Sequence, residues 1–379
     1  MRGLYLHVPF CNKVCDYCDF SVLAAPERLY AEYVDLLEHE MEYLHLQFPD
    51  FFEKAETLYI GGGTPSQLPI PLLEKIFNAL QKNGVRINKL QEVSMEFNPE
   101  SCSMEKVYAA KDFGVKRFSL GIQTFNQELL KTIGRSHSPQ MAYDALKILN
   151  HIQNNDIQFN ADLMFMLPNQ TLEDFKQDLK TLLEYTPSHI SFYGLQISPQ
   201  TMLESKIRRG KLFVDESLYA PMYKVGVELL ETHGFHRYEV SNFALLGKES
   251  LHNKNYWQRG EYLGIGPGAH SFINKIRFNA PMRYSHWKSW IKNGCPDSLY
   301  EKDILDRSAE ILEEIWLSLR QAEGLDIENL QRKYDYEVPK KNLIHWYEKG
   351  FLGFNKNKIF LIGDGWLFMD QIVNDLGEF

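Results

Sequence analysis

The chain has 379 residues, with 41 lysines and arginines against 50 aspartates and glutamates, a formal net charge of −9. That balance argues against a general nucleic-acid binder, which carries a basic excess. No run of 18 apolar residues exists to span a bilayer, and the N-terminal stretch MRGLYLHVPFCNK has no small-residue cleavage site. A cytoplasmic protein of one large or two domains is therefore expected.

Along the chain, short β-rich runs alternate with helical stretches, the pattern of βαβ units and a parallel sheet. Strands are predicted over residues 3–8, 57–60, 92–97, 117–122, 159–165 and 189–196, with helices over 26–48, 72–81 and 172–185 and two more between the fourth and fifth strands. Six such units are too few for a closed eight-stranded barrel. The expected fold is α/β: a partial (β/α)6 TIM-like barrel. After about Ser198 the alternation stops, and residues 251–272 are dense in His, Asn, Tyr, Trp and Gly. From residue 301, helical segments and an apolar-aromatic hairpin around Asn355 and Asn357 suggest a small C-terminal winged-helix-like domain. Its 10 basic and 16 acidic residues disfavour DNA as its ligand. The expected domains are residues 1–200, 201–295 and 296–379.

Of five cysteines, three fall within eight residues, Cys11, Cys15 and Cys18, while Cys102 and Cys295 stand apart and read as small buried hydrophobes. An odd count with one tight cluster is no disulfide framework. Zinc would need a fourth ligand from a second CxxC or HxxxH pair, and neither is present. A cubane iron-sulfur cluster held by three thiolates keeps one iron open for another ligand.

The CxxxCxxC spacing, with an aromatic before the last cysteine and at the start of a partial barrel, resembles the radical S-adenosylmethionine (SAM) superfamily. The resemblance implies a 4Fe-4S cluster on Cys11, Cys15 and Cys18 whose open iron binds SAM. It extends through Leu4–Cys11, the GGGTPS of residues 61–66, Glu96-Phe97-Asn98-Pro99, Gly121–Phe125, Arg135 and Ala161-Asp162-Leu163 to oxygen-independent coproporphyrinogen III oxidase and its relatives. Nearly all these positions lie at the C-terminal ends of predicted strands, where barrel enzymes place their chemistry. The Gly62-Gly63-Thr64 turn can bring backbone amides to a ligand, Glu96 can pair with an ammonium, and Gln123 and Asp162 can bond ribose hydroxyls. Arg135 can grip a carboxylate. The family places Tyr5 and Tyr17 beside the cluster and SAM.

Two departures point to the haem-chaperone branch of this family. Phe20 stands where the oxidases carry a fourth cysteine, and the cluster begins at residue 11, without the oxidases' N-terminal extension. The second discriminator is HNxxYW, residues His252, Asn253, Tyr256 and Trp257, which that branch associates with haem. An imidazole suits haem iron, and Tyr and Trp offer flat faces to a porphyrin. His270 and His236 are reserve ligands. The resemblance implies haem delivery to an acceptor protein, an electron donor, membrane contact through the acceptor, and a homodimer; no nucleic acid is expected. The competing readings are coproporphyrinogen decarboxylation and radical chemistry on another substrate, since the SAM site leaves SAM cleavage open.

Overall fold

The computed structural model describes residues 1–296 and 301–378. The first four residues after Pro296, where the third expected domain begins, therefore lie outside the described residues. Six parallel strands form the centre of the fold: β1 (Arg2–Val8), β2 (Thr57–Gly62), β3 (Glu92–Phe97), β4 (Arg117–Gln123), β5 (Gln158–Phe165) and β6 (His189–Gly194), hydrogen-bonded in that order. Each is followed by helix that packs on the outer face. The connections end in side-chain caps that satisfy the first helical amides: Ser138 accepts from Met141 N at 3.4 Å before the helix Pro139–Ile152. Thr171 and Asp174 form a reciprocal capping box before Leu172–Leu183.

Period-two alternation sends one set of strand residues outward and the other into the barrel. The outward set is apolar and sealed under the helices: Leu4, Leu6, Leu58, Ile60, Phe118 and Phe159 have no exposed surface. Each such side chain contributes roughly 1.5–3 kcal/mol by leaving water. The inward set is polar and also buried, including Thr57, Ser94, Ser119, Asn160 and Ser191. These groups are tolerable because they bond one another. Asn160 Nδ2 donates to Ser119 Oγ at 2.7 Å, Asn160 Oδ1 faces His189 Nδ1 at 2.6 Å, and His189 Nε2 faces Tyr238 Oη at 2.8 Å.

The sheet extends beyond the six predicted strands. Residues Glu261–Ile265 pair in parallel with the open edge of β1, followed by the antiparallel strands His270–Ile273, Ile276–Asn279 and Glu301–Ile304. At the other edge Asn242–Ala244 runs antiparallel to β6. These short strands lack the regular one-for-one alternation with helices that made β1–β6 readable. The C-terminal part runs helix Arg307–Leu319, strand Leu325–Asp326, helices Ile327–Tyr334 and Lys340–Glu348, then the hairpin Leu352–Asn355 and Lys358–Leu361. That is the element order of a winged helix. No helix among the described residues is long and apolar enough to cross a membrane.

The N-terminal mouth of the barrel is plugged by the helix Leu251–Trp257. Its anchor is the buried carboxylate of Glu92, which accepts from Leu251 N at 2.8 Å, His252 N at 3.3 Å and Ser250 Oγ at 3.0 Å. A carboxylate at a helix N-terminus satisfies orphan amides and complements the helix dipole. Glu92→Ala is expected to lower unfolding free energy by roughly 2–4 kcal/mol, with Glu92→Gln losing less; urea unfolding measures both.

Candidate active site and adjoining cavity

At the C-terminal end of the barrel, Cys11, Cys15 and Cys18 are free, partly exposed thiols on one loop. Cys18 N donates to Cys15 O at 3.1 Å, which makes the loop turn on itself. The loop is tied to the barrel at Asp16, whose amide donates to Ile133 O at 3.0 Å, whose carbonyl accepts from Leu203 N at 2.7 Å, and whose carboxylate pairs with Lys206. Two of the thiols already face polar hydrogens: Thr64 Oγ1 lies 3.5 Å from Cys11 Sγ and Arg135 Nη1 lies 3.6 Å from Cys15 Sγ. Burial pushes the Cys11 and Cys18 thiols up to about 11. They would bind metal as thiolates, so ion binding must release their protons. Cys295 is buried and Cys102 half-buried, well away in sequence from this loop.

Around the loop the strand ends assemble as the spacing predicts. Gly62 N donates to Glu96 Oε2 at 3.0 Å, and Tyr59 Oη donates to Glu96 Oε1 at 2.8 Å. Gly63 N and Thr64 N donate to the carbonyls of Val8 and Phe10, each at 2.7 Å. The backbone packs so closely that a Cβ on Gly63 would sit 2.6 Å from Phe10 O, and Gly62 has φ +109°, where L side chains are strained. Gln123 ends β4 beside a register shift and takes φ 70° while buried, a sparsely populated conformation for a non-glycine residue. Asp162 sits one strand over, with Asn160 Nδ2 at 2.6 Å and Ser119 Oγ at 3.4 Å from its oxygens. Arg135 reaches in from the loop after the helix Gln127–Thr132, with Nη2 2.9 Å from Asn98 Oδ1, while its buried Nε has no partner. Tyr17 packs on Leu129, Ile133, Met164 and Leu167.

The site thus gathers two carboxylates, a guanidinium, an amide and three thiols, a donor set suited to an ammonium, a carboxylate and sugar hydroxyls beside a metal cluster. Two members have no role assigned from the sequence. Tyr59 holds Glu96, and Asn98 bridges Arg135 to Thr64, its Nδ2 2.8 Å from Thr64 Oγ1. The same-face alternation of Thr57, Tyr59 and Gly61 was the available signal for the first.

Beside this site lies a cavity of about 750 Å³. One end is walled by Tyr5, His7 and the segment Asp19–Ser21 just after Cys18, another by Tyr256, Trp257, Tyr262 and Phe272, and helix Arg307–Leu319 closes a side with Glu313, Trp316 and Leu317. The HNxxYW residues are divided by this geometry. Tyr256 and Trp257 line the cavity, but His252 and Asn253 do not. His252 is fully buried beneath Tyr256, with Nδ1 2.9 Å from Thr57 Oγ1 and Nε2 2.8 Å from Tyr256 Oη, its ring stacked on Tyr59. Burial lowers its pKa to about 4, keeping it neutral. Of the reserve histidines, His270 is exposed at the cavity wall, whereas His236 lies outside it and pairs with Glu249 at 2.7 Å.

Residues 5–182 match the family model of the radical SAM superfamily. Heme chaperone HemW of Lactococcus lactis is 34% identical over 96% of this chain and 98% of its own length, and heme chaperone HemW of Bacillus subtilis is 32% identical over the whole of both. The chain belongs to the HemW family of radical SAM proteins. Membership of that superfamily implies a 4Fe-4S cluster and SAM. The fold is that of the Escherichia coli coproporphyrinogen III oxidase HemN, with a TM-score of 0.85 over all of this chain and 90% of that one, at 21% identity.

Burial, with the nearby charge of Asp162 adding to it, raises Glu96 from its ordinary 4.5 to about 7. Between those values the folded chain holds a proton that the unfolded chain lacks, so stability falls as pH rises through that window. Glu96→Gln is therefore expected to stabilise the ligand-free protein by about 1–3 kcal/mol at pH 8 and to change little at pH 4.5, measured by denaturant unfolding at both.

Proposed function

We propose that this chain is a haem chaperone: it binds haem in the 750 Å³ cavity and passes it to an acceptor protein, with a SAM-ligated 4Fe-4S cluster held beside that cavity. The observation that carries this reading is the shared wall. Asp19, Phe20 and Ser21, directly after Cys18, and the paired aromatics Tyr256 and Trp257 line the same space. The volume and the seven Phe, Tyr and Trp rings of the lining suit a porphyrin, and the named heme chaperones among the relatives agree with it.

Cys11, Cys15 and Cys18 would hold the cluster, which when bound supplies one-electron chemistry at its open iron. Toward SAM, Glu96 would pair with the ammonium beside the Gly62-Gly63-Thr64 turn, whose own amides are already bonded to Glu96, Val8 and Phe10, Arg135 would hold the carboxylate, and Gln123 and Asp162 the ribose. Tyr5, on the cavity wall, and Tyr17, packed on Leu129 and Ile133, would flank the cluster. Toward haem, Tyr256 and Trp257 would pack on the macrocycle. His252 and Asn253 belong to the helix that presents them, and Tyr256 is oriented by its bond to His252 Nε2. Phe20, 68% exposed, and Met282, 53% exposed, leave an apolar rim at the cavity mouth, where an acceptor protein would receive haem and the electron donor would approach the cluster.

Anaerobic reconstitution of Cys15→Ser is expected to abolish the visible absorbance of the 4Fe-4S cluster, while Cys102→Ser and Cys295→Ser retain it. Haem titration of reconstituted protein, followed in the Soret region, should saturate near one haem per chain and weaken about tenfold or more in Tyr256→Ala or Trp257→Ala. Absence of haem binding by the parent protein would refute the chaperone reading.

A further inference from the structure

Four histidines lie in or near the region assigned to haem, and their surroundings differ sharply. His252, the motif histidine, has no exposed surface, and both ring nitrogens are spent on Thr57 and Tyr256. To reach a porphyrin it would have to break both bonds, leave its stack on Tyr59 and displace the Tyr256 ring that stands between it and the cavity. His7 lines the cavity but is buried. Its Nε2 donates to Ser21 O at 2.8 Å, so Nδ1 is the acceptor facing Tyr5 Oη at 3.0 Å. His236 is outside the cavity. His270 alone combines solvent exposure with a place on the cavity wall.

The strand that carries His270 is also built to receive the rest of the ligand. His270 and Phe272 share one face of it, about 7 Å apart, and Phe272 pairs across the ladder with Arg277, whose guanidinium lies 5.1 Å from the Phe272 ring centroid. Arg277 lines the cavity and pairs with Glu313, as does Arg259 at 2.8 Å. An imidazole, a flat ring and two guanidiniums along one wall match the iron, the macrocycle and the propionate edge of a haem, with a propionate taking the place of the Glu313 carboxylate that both guanidiniums now share. The tight turn before His270 fixes its position against the cluster loop, since a Cβ on Gly268 would meet Ser21 Cβ at 3.0 Å.

We infer that His270, and not the HNxxYW histidine, supplies the axial ligand to haem iron, with Arg259 and Arg277 as the propionate partners and His252 as a positioning residue for Tyr256. This rests on the haem reading above. It assigns the motif histidine a structural task, keeping a buried neutral ring under the porphyrin-facing tyrosine.

The test is ferric haem titration of the full, cluster-reconstituted chain, with electron paramagnetic resonance and Soret spectra of the parent, His270→Gly, His252→Gln and Arg277→Gln. His270→Gly should lose the histidine-ligated spectrum and regain it on addition of imidazole. His252→Gln should keep that spectrum and lose less than about tenfold in affinity, and Arg277→Gln should keep it with affinity lowered by about tenfold. Loss of the spectrum in His252→Gln with imidazole rescue, or an unaltered spectrum in His270→Gly, would overturn the inference while leaving haem binding intact. A parent protein that binds no haem would instead remove the haem reading itself.

Discussion

The buried carboxylate of Glu92 is the contact on which the placement of the helix carrying the HNxxYW residues depends. It sits on the inward face of β3 and gathers the hydroxyl of Ser250 and the amides of Leu251 and His252, residues some 160 positions later in the chain. A charge in that place is costly unless fully bonded, and the helix N-terminus is the partner that bonds it. Docking the helix there seats His252 under the barrel, sets Tyr256 and Trp257 at the cavity, and lets the next segment, Glu261–Ile265, pair with the edge of β1. One ionic cap therefore joins the sequence-distant halves of the functional region.

The polar barrel interior follows from the same economy. Glu96 and Asp162 at the upper layer and Asn160, Ser119 and His189 below them form connected hydrogen bonds in space that an apolar core would fill. An interior of this kind gains little stability from burial, and Glu96 in particular is held against its preference for water. The return is a surface at the strand ends whose donors and acceptors are already placed. The cluster loop is tied down by Asp16 for the same reason: three thiols on a wandering loop would have to be ordered at the moment of metal binding.

How much of this was legible in the sequence depended on range. β1–β6 were predicted nearly to the residue because each is a short apolar-alternating run followed by an amphipathic helix, and both signals are local. The Gly62–Thr64 turn, Glu96, Gln123 and Asp162 could be placed because a strand end is a local feature and parallel strands bring all such ends to one rim. Tyr59 was missed, and Asn98 was read in its motif without a role, because their partners, Glu96, Arg135 and Thr64, lie more than 30 residues away. The four strands added beyond β1 were missed because they are only four or five residues long and do not alternate one for one with helices.

The sequence by itself determined the three-thiol loop, the βα rhythm and the company of polar groups at the strand ends, because spacing and periodicity are properties of the chain. Only the tertiary structure decided what the HNxxYW motif does with each of its residues. Residues 252 and 256 are one helical turn apart and share a face, so pattern alone presents both to the same ligand. Packing beneath the barrel separated them: Thr57 and Tyr59 enclose His252, and Tyr256 is left facing the cavity. That choice is made by contacts across nearly 200 residues, which no local pattern encodes.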